Sequence, residues 1–70
     1  MMNKLIEALK GRQKHLSLTD AKFAESLGVS RGTWSLVRAG KVKMNIPILR
    51  GILLSYPDMQ SKVVEYIIKS

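Results

Sequence analysis

Residues 19–40 read Thr-Asp-Ala-Lys-Phe-Ala-Glu-Ser-Leu-Gly-Val-Ser-Arg-Gly-Thr-Trp-Ser-Leu-Val-Arg-Ala-Gly, and their spacing describes two short helices joined by a tight turn. Thr19 is an N-cap, with Leu18 before it and Phe23 four residues on, the arrangement of a hydrophobic staple. Phe23 and Leu27 share one face of the first helix, expected over about 20–27. Ala24 beside them is small enough for a second helix to cross closely. Gly28 suits the left-handed residue that ends a helix. Ser30 then caps the next helix, and Gly40 follows its last periodic residue as a C-cap.

The second helix, expected over about 31–39, divides by angle. At about 100° per residue, Thr33, Trp34 and Val37 fall on one side. Arg31, Gly32, Ser35, Leu36 and Ala39 fall on the other, with Arg38 at the flank. The first side can pack on Phe23 and Leu27, which puts Trp34 in the core and not against a base. The second side is short, mostly small and basic at its start. Small residues let a helix come close to a ligand surface, and Arg and Ser offer donors that reach base edges in a major groove. In a helix-turn-helix the labour is divided this way: the second helix reads and the first braces it.

The stretch resembles the helix-turn-helix of lambda-repressor-like (Cro/CI, XRE-type) regulators. The small residue of their first helix matches Ala24, the turn glycine Gly28, and the apolar residue after it Val29. Their buried recognition-helix residues match Trp34 and Val37. The match is loosest before residue 16 and after residue 56. There are three departures. Asp20 stands where many members carry a glutamine that donates to a DNA phosphate. An aspartate cannot donate and would repel a phosphate, although it suits the positive end of a helix. Arg38 stands where many members carry an acid, and the loop after the recognition helix is a few residues longer. The resemblance implies an all-α, compact five-helix DNA-binding domain. It further implies a sequence-specific, double-stranded-DNA-binding transcriptional regulator, a repressor of phage or prophage type. Such domains bind as homodimers to two-fold operators, and the dimer need not be stable without DNA.

On this reading Ser30, Arg31, Gly32, Ser35, Leu36 and Ala39 face the bases. Arg31 is the candidate for guanine and Leu36 for a thymine methyl. Lys22, Thr33, Arg38, Lys41, Lys43 and Asn45 are the candidates for the DNA backbone. Gly32 has two explanations that the sequence leaves open: close approach to DNA, or its place in a first helical turn, where glycine costs less.

Composition agrees with a polyanion partner. Twelve Lys and Arg face five Asp and Glu, a net charge of +7, and no acid occurs between Glu25 and Asp58. That interval holds Arg31, Arg38, Lys41, Lys43 and Arg50, a one-signed field over the reading helix and the loop after it. An apolar content of 46% argues for a folded chain, and seventy residues for one domain. Without cysteine there is neither a disulfide nor a thiolate metal site, which fits a reducing cytoplasm. No apolar run approaches the roughly 20 residues that cross a membrane, so no membrane partner is expected.

The rest of the chain supplies three further helices. One is expected over 2–14, with Leu5, Ile6 and Leu9 as an apolar stripe and Lys10, Arg12 and Lys14 as a solvated basic end. Leu16 and Leu18 are expected to fold under the core. Residues 40–46 form a loop. The fourth helix opens near Pro47 and runs to 55, with Ile48, Leu49, Ile52, Leu53 and Tyr56 on a broad core side and Leu54 off it. The fifth is expected over 58–69, with Met59, Val63, Tyr66 and Ile67 on one face and Val64 and Ile68 nearly opposite. Leu54, Val64 and Ile68 are the candidates for a dimer contact, the alternative being ordinary scattered surface hydrophobes.

An enzyme is not expected. There is no cysteine nucleophile, no Ser/His/Asp set, no phosphate-cradling glycine loop and no metal cluster, and His15 has no carboxylate or second ligand in sequence reach. No cofactor or metal is expected. Two readings of other classes remain. One is a protein-interaction module, such as an antitoxin-like or adaptor subunit with a protein partner on the fifth helix or Leu54. The other is an accessory protein that binds nucleic acid without sequence preference.

Overall fold

The computed structural model describes residues 4–69. Within them the chain forms five α-helices and one short 3-10 turn, with no strand. Helix α1 spans Lys4–His15, α2 Asp20–Leu27, α3 Arg31–Arg38, α4 Ile46–Ser55 and α5 Gln60–Lys69, with the 3-10 turn at Pro57–Met59 before α5. The expected start of the first helix at residue 2 lies outside the described residues.

Helices α1, α2 and α3 end in the same way. Each passes through a left-handed residue, Ser17 (φ 55°), Gly28 (φ 76°) and Gly40 (φ 77°). The amide after each one bonds back into the helix: Leu18 to Gln13, Val29 to Ala24, Lys41 to Leu36. These paired closing bonds satisfy carbonyls that the helix end would otherwise leave bare. The starts are capped as well. Thr19 accepts from the Lys22 amide, Ser30 from the Thr33 amide and Asn45 from the Ile48 amide.

Helix α2 is the centre of the molecule, packing on α3 on one side and α4 on the other, while α1 packs on α5 and α3. Fourteen apolar residues form one core, among them Leu5, Leu9, Phe23, Leu27, Trp34, Val37, Ile48 and Ile52 at 1% exposure or less. Phe23 lies between two other rings, 4.9 Å from Trp34 and 5.6 Å from Tyr56. Such ring pairs add about 0.5–1.5 kcal/mol each beyond burial. Their polar ends are satisfied. Trp34 Nε1 donates to Gln13 Oε1 at 3.0 Å, and the Tyr56 hydroxyl lies 2.7 Å from Ser26 Oγ. Because Ser26 spends its own proton on the Phe23 carbonyl, Tyr56 is the donor of that pair. The close crossing is at Gly51, where a Cβ would stand 1.9 Å from the Leu27 carbonyl oxygen.

Three expectations about burial, for Leu16, Leu53 and Ile67, and one about charge, for Arg12, are corrected, while Leu18 packs against the core as expected. Leu16 is 44% exposed and Leu18 half-buried, because the left-handed turn at Ser17 brings Leu18 inward and leaves Leu16 out. Leu53 is 38% exposed: it lies about 40° beyond Leu49, outside the arc of Ile48, Ile52 and Tyr56. Ile67 is exposed too, one turn past Val63 in α5. Arg12 is not simply solvated. Its guanidinium grips both carboxylate oxygens of Asp58 and lies 5.2 Å from the centre of the Tyr56 ring.

Candidate nucleic-acid interface

Helix α3 has the two faces its angles describe. Trp34 and Val37 are fully buried and Thr33 half-buried. Arg31, Gly32, Leu36, Arg38 and Ala39 are exposed and Ser35 half-buried. Leu36, at 44%, is the one large apolar side chain of the outer face. A Cβ at Gly32 would meet nothing within 4 Å, so internal packing does not demand glycine there. Ser30 also serves the helix itself: its Oγ accepts from the Thr33 amide at 3.2 Å and sits 2.9 Å from Thr33 Oγ1. Both hydroxyls are therefore partly committed to the cap.

The loop after α3 is fastened at its far end. Lys41, Val42 and Lys43 are exposed, whereas Met44 is buried at 8% exposure. The Met44 amide donates to the Tyr66 hydroxyl at 3.3 Å, tying the loop to α5. Asn45 Oδ1 caps α4 at 3.1 Å, so any phosphate contact from Asn45 falls to its NH2 group. Sequence reading missed the anchoring roles of Met44, Asn45 and Tyr66. The Asn-Ile-Pro order was a usable cap signal. Nothing local marked Met44.

Charge is partitioned across the molecule. Each of the five acids has a cation within 4.0 Å: Glu7 with Lys10, Asp20 with Arg38, Glu25 with Lys22, Asp58 with Arg12, and Glu65 with Lys4 and Lys69. Among the described residues, Lys14, Arg31, Lys41, Lys43, Arg50 and Lys62 have no such carboxylate. Four of these six lie between residues 31 and 50. The excess charge thus collects on the outer side of α3, on the loop after it and on α4. Lys22, expected at the DNA backbone, is exposed and 4.0 Å from Glu25.

Arg38 is the exception in that interval. Its Nη1 donates to Asp20 Oδ1 at 2.6 Å, and Gln13 Nε2 donates to the same oxygen at 2.8 Å. Gln13 is itself held, through its Nε2 on the Leu18 carbonyl and its Oε1 under Trp34 Nε1. The Gln13 hydrogen bond, and after it the Arg38 charge, keep the Asp20 carboxyl below the usual carboxylate range against an opposing desolvation. Asp20 thus does more than suit a helix start. It joins the end of α1, the start of α2 and the end of α3.

The dimer candidates Leu54, Val64 and Ile68 are exposed at 78%, 46% and 75%. Among the described residues no helix is long and apolar enough to cross a membrane. The chain matches no family model, no curated protein and no solved structure.

Proposed function

We propose that this chain is a lambda-repressor-like regulator that binds double-stranded DNA sequence-specifically, with α3 in the major groove. One observation carries the reading. The exposed side of α3 is mostly small, carries no acid and is flanked by unpaired cations, and the one carboxylate that reaches α3, Asp20, pairs with Arg38 at its last residue. A surface built for solubility alone would intersperse its signs. Arg31, exposed at the start of α3 and free of a carboxylate partner among the described residues, reads guanine. Ser30, Gly32, Ser35, Leu36 and Ala39 complete the base-facing side. Lys41, Lys43 and Asn45, on a loop fixed by Met44, hold the backbone, with Lys22 and Thr33 at the flank. Leu54, Val64 and Ile68 offer apolar surface for a second copy, and two copies would meet half-sites about one helical turn apart.

The experiment is enrichment of sites from a random duplex library, repeated at two salt concentrations. The expected result is a two-fold-related motif in which Arg31→Ala relaxes one base position per half-site, a loss of about 1–3 kcal/mol of discrimination. An equal loss at every sequence makes Arg31 a phosphate contact. Salt-sensitive binding without a motif leaves a non-specific accessory protein. The exposed Leu54, Val64 and Ile68 also favour a second reading, a protein-interaction module. Its mark is a stable protein complex with no salt-sensitive DNA binding.

A further inference from the structure

We propose that Asp20 sets the number of phosphates the molecule engages, by holding the Arg38 guanidinium and withholding it from DNA. The inference rests on the DNA-binding reading above. Arg38 closes the reading helix and is followed by Lys41 and Lys43, so it stands at the flank where a strand would run. Of the five cations between residues 31 and 50, it alone has a carboxylate partner among the described residues. That partner is anchored. Gln13 grips the same Asp20 oxygen from the α1 side, and Trp34 and the Leu18 carbonyl fix Gln13. A carboxylate positioned in advance spends no rotamer freedom to hold Arg38, unlike the Lys22–Glu25 pair, where both side chains exceed 70% exposure. The Asp20–Arg38 pair is also within reach of solvent, at 34% and 46% side-chain exposure. A phosphate could take Arg38 only by leaving the Asp20 charge beside itself. DNA therefore docks without this contact, and the affinity for any duplex stays below what the cation count would give.

The test uses the full chain and a duplex of arbitrary sequence, with binding followed by fluorescence anisotropy across a salt series. Asp20→Asn keeps an oxygen to accept from Gln13 and releases Arg38. Asp20→Ser, measured alongside, keeps the result from depending on one variant's folding. Glu25→Gln removes the same charge elsewhere on α2. Each phosphate contact adds about 0.9 to the slope of log affinity against log salt. Both Asp20 variants should steepen by that amount, gaining on the native protein about eightfold for each tenfold fall in salt. Adding Arg38→Gln to Asp20→Asn should return the native slope. Arg38→Gln alone and Glu25→Gln should leave it unchanged. No steepening overturns the proposal, and so does steepening that survives Arg38→Gln or is matched by Glu25→Gln. Absence of salt-dependent binding by the native protein is a separate result, which overturns the DNA reading and this inference with it.

Discussion

Two helical glycines, Gly32 and Gly51, occupy opposite kinds of space. At Gly51 the missing side chain is what lets α4 lie against α2, since a Cβ would stand 1.9 Å from the Leu27 oxygen and 2.7 Å from its carbonyl carbon. Both obstacles are backbone and cannot rotate away, so the helices must part. Gly51→Ala should therefore lose about 1–3 kcal/mol or more, visible as a lower urea midpoint. Gly32 faces open space and has no positive φ. Alanine there should raise the melting temperature, by up to about 1 kcal/mol of helix propensity. If the outer face of α3 approaches DNA closely, the same variant binds duplex more weakly while being more stable. Unchanged binding would assign Gly32 to the tolerance of a first helical turn. The two measurements must move in opposite directions for the close-approach account to stand.

At the scale of elements, the three matching helix ends differ in one residue. Gly28 and Gly40 enter the left-handed region freely, whereas Ser17 does so with a Cβ. A left-handed L-residue costs roughly 1–2 kcal/mol, so Ser17→Gly should stabilise the chain by about 1 kcal/mol after glycine's larger unfolded-state entropy is deducted. A chemical melt would show it as a raised midpoint with an unchanged slope. The same local chemistry explains what could be read in advance. The limits of α2 follow from Thr19 and Gly28, those of α3 from Ser30 and Gly40, because caps and turns are decided within a few residues. The two faces of α3 were legible for the same reason. What escaped sequence reading needs a partner from elsewhere in the chain. Met44 is buried in a loop whose amide meets Tyr66 of α5, Leu53 lies outside the buried arc of Ile48, Ile52 and Tyr56, and the Asp20 site draws on three helices. In the sequence Arg12 has the look of a solvated helix end because Asp58 and Tyr56 are far along the chain.

For the whole molecule, the partners of Asp20, Asp58 and Glu65 make stability depend on pH in one direction. Asp58 is held below its ordinary range by the Arg12 hydrogen bonds, Asp20 by Gln13 and then Arg38, and Glu65 by Lys69 and then Lys4. Carboxyls with lowered folded values bind fewer protons folded than unfolded. Their contribution is complete above the unfolded value of about 4 and is lost as pH falls through the folded values. Acid also leaves twelve Lys and Arg with no carboxylate against them, so self-repulsion acts in the same direction. The two causes separate by salt. Repulsion among exposed cations is screened, while a two-oxygen grip such as Arg12 on Asp58 is screened less. Thermal melts from neutral pH down to about 2 should show stability constant to near the carboxylate range and then falling. Asp58→Asn should start lower at neutral pH and fall less, and that difference should persist in high salt. If salt removes the acid loss in the native chain altogether, the local pairs contribute nothing and the cation excess alone limits the fold. The cation excess, which the proposed function sets against a polyanion, would then also be what unfolds the chain in acid.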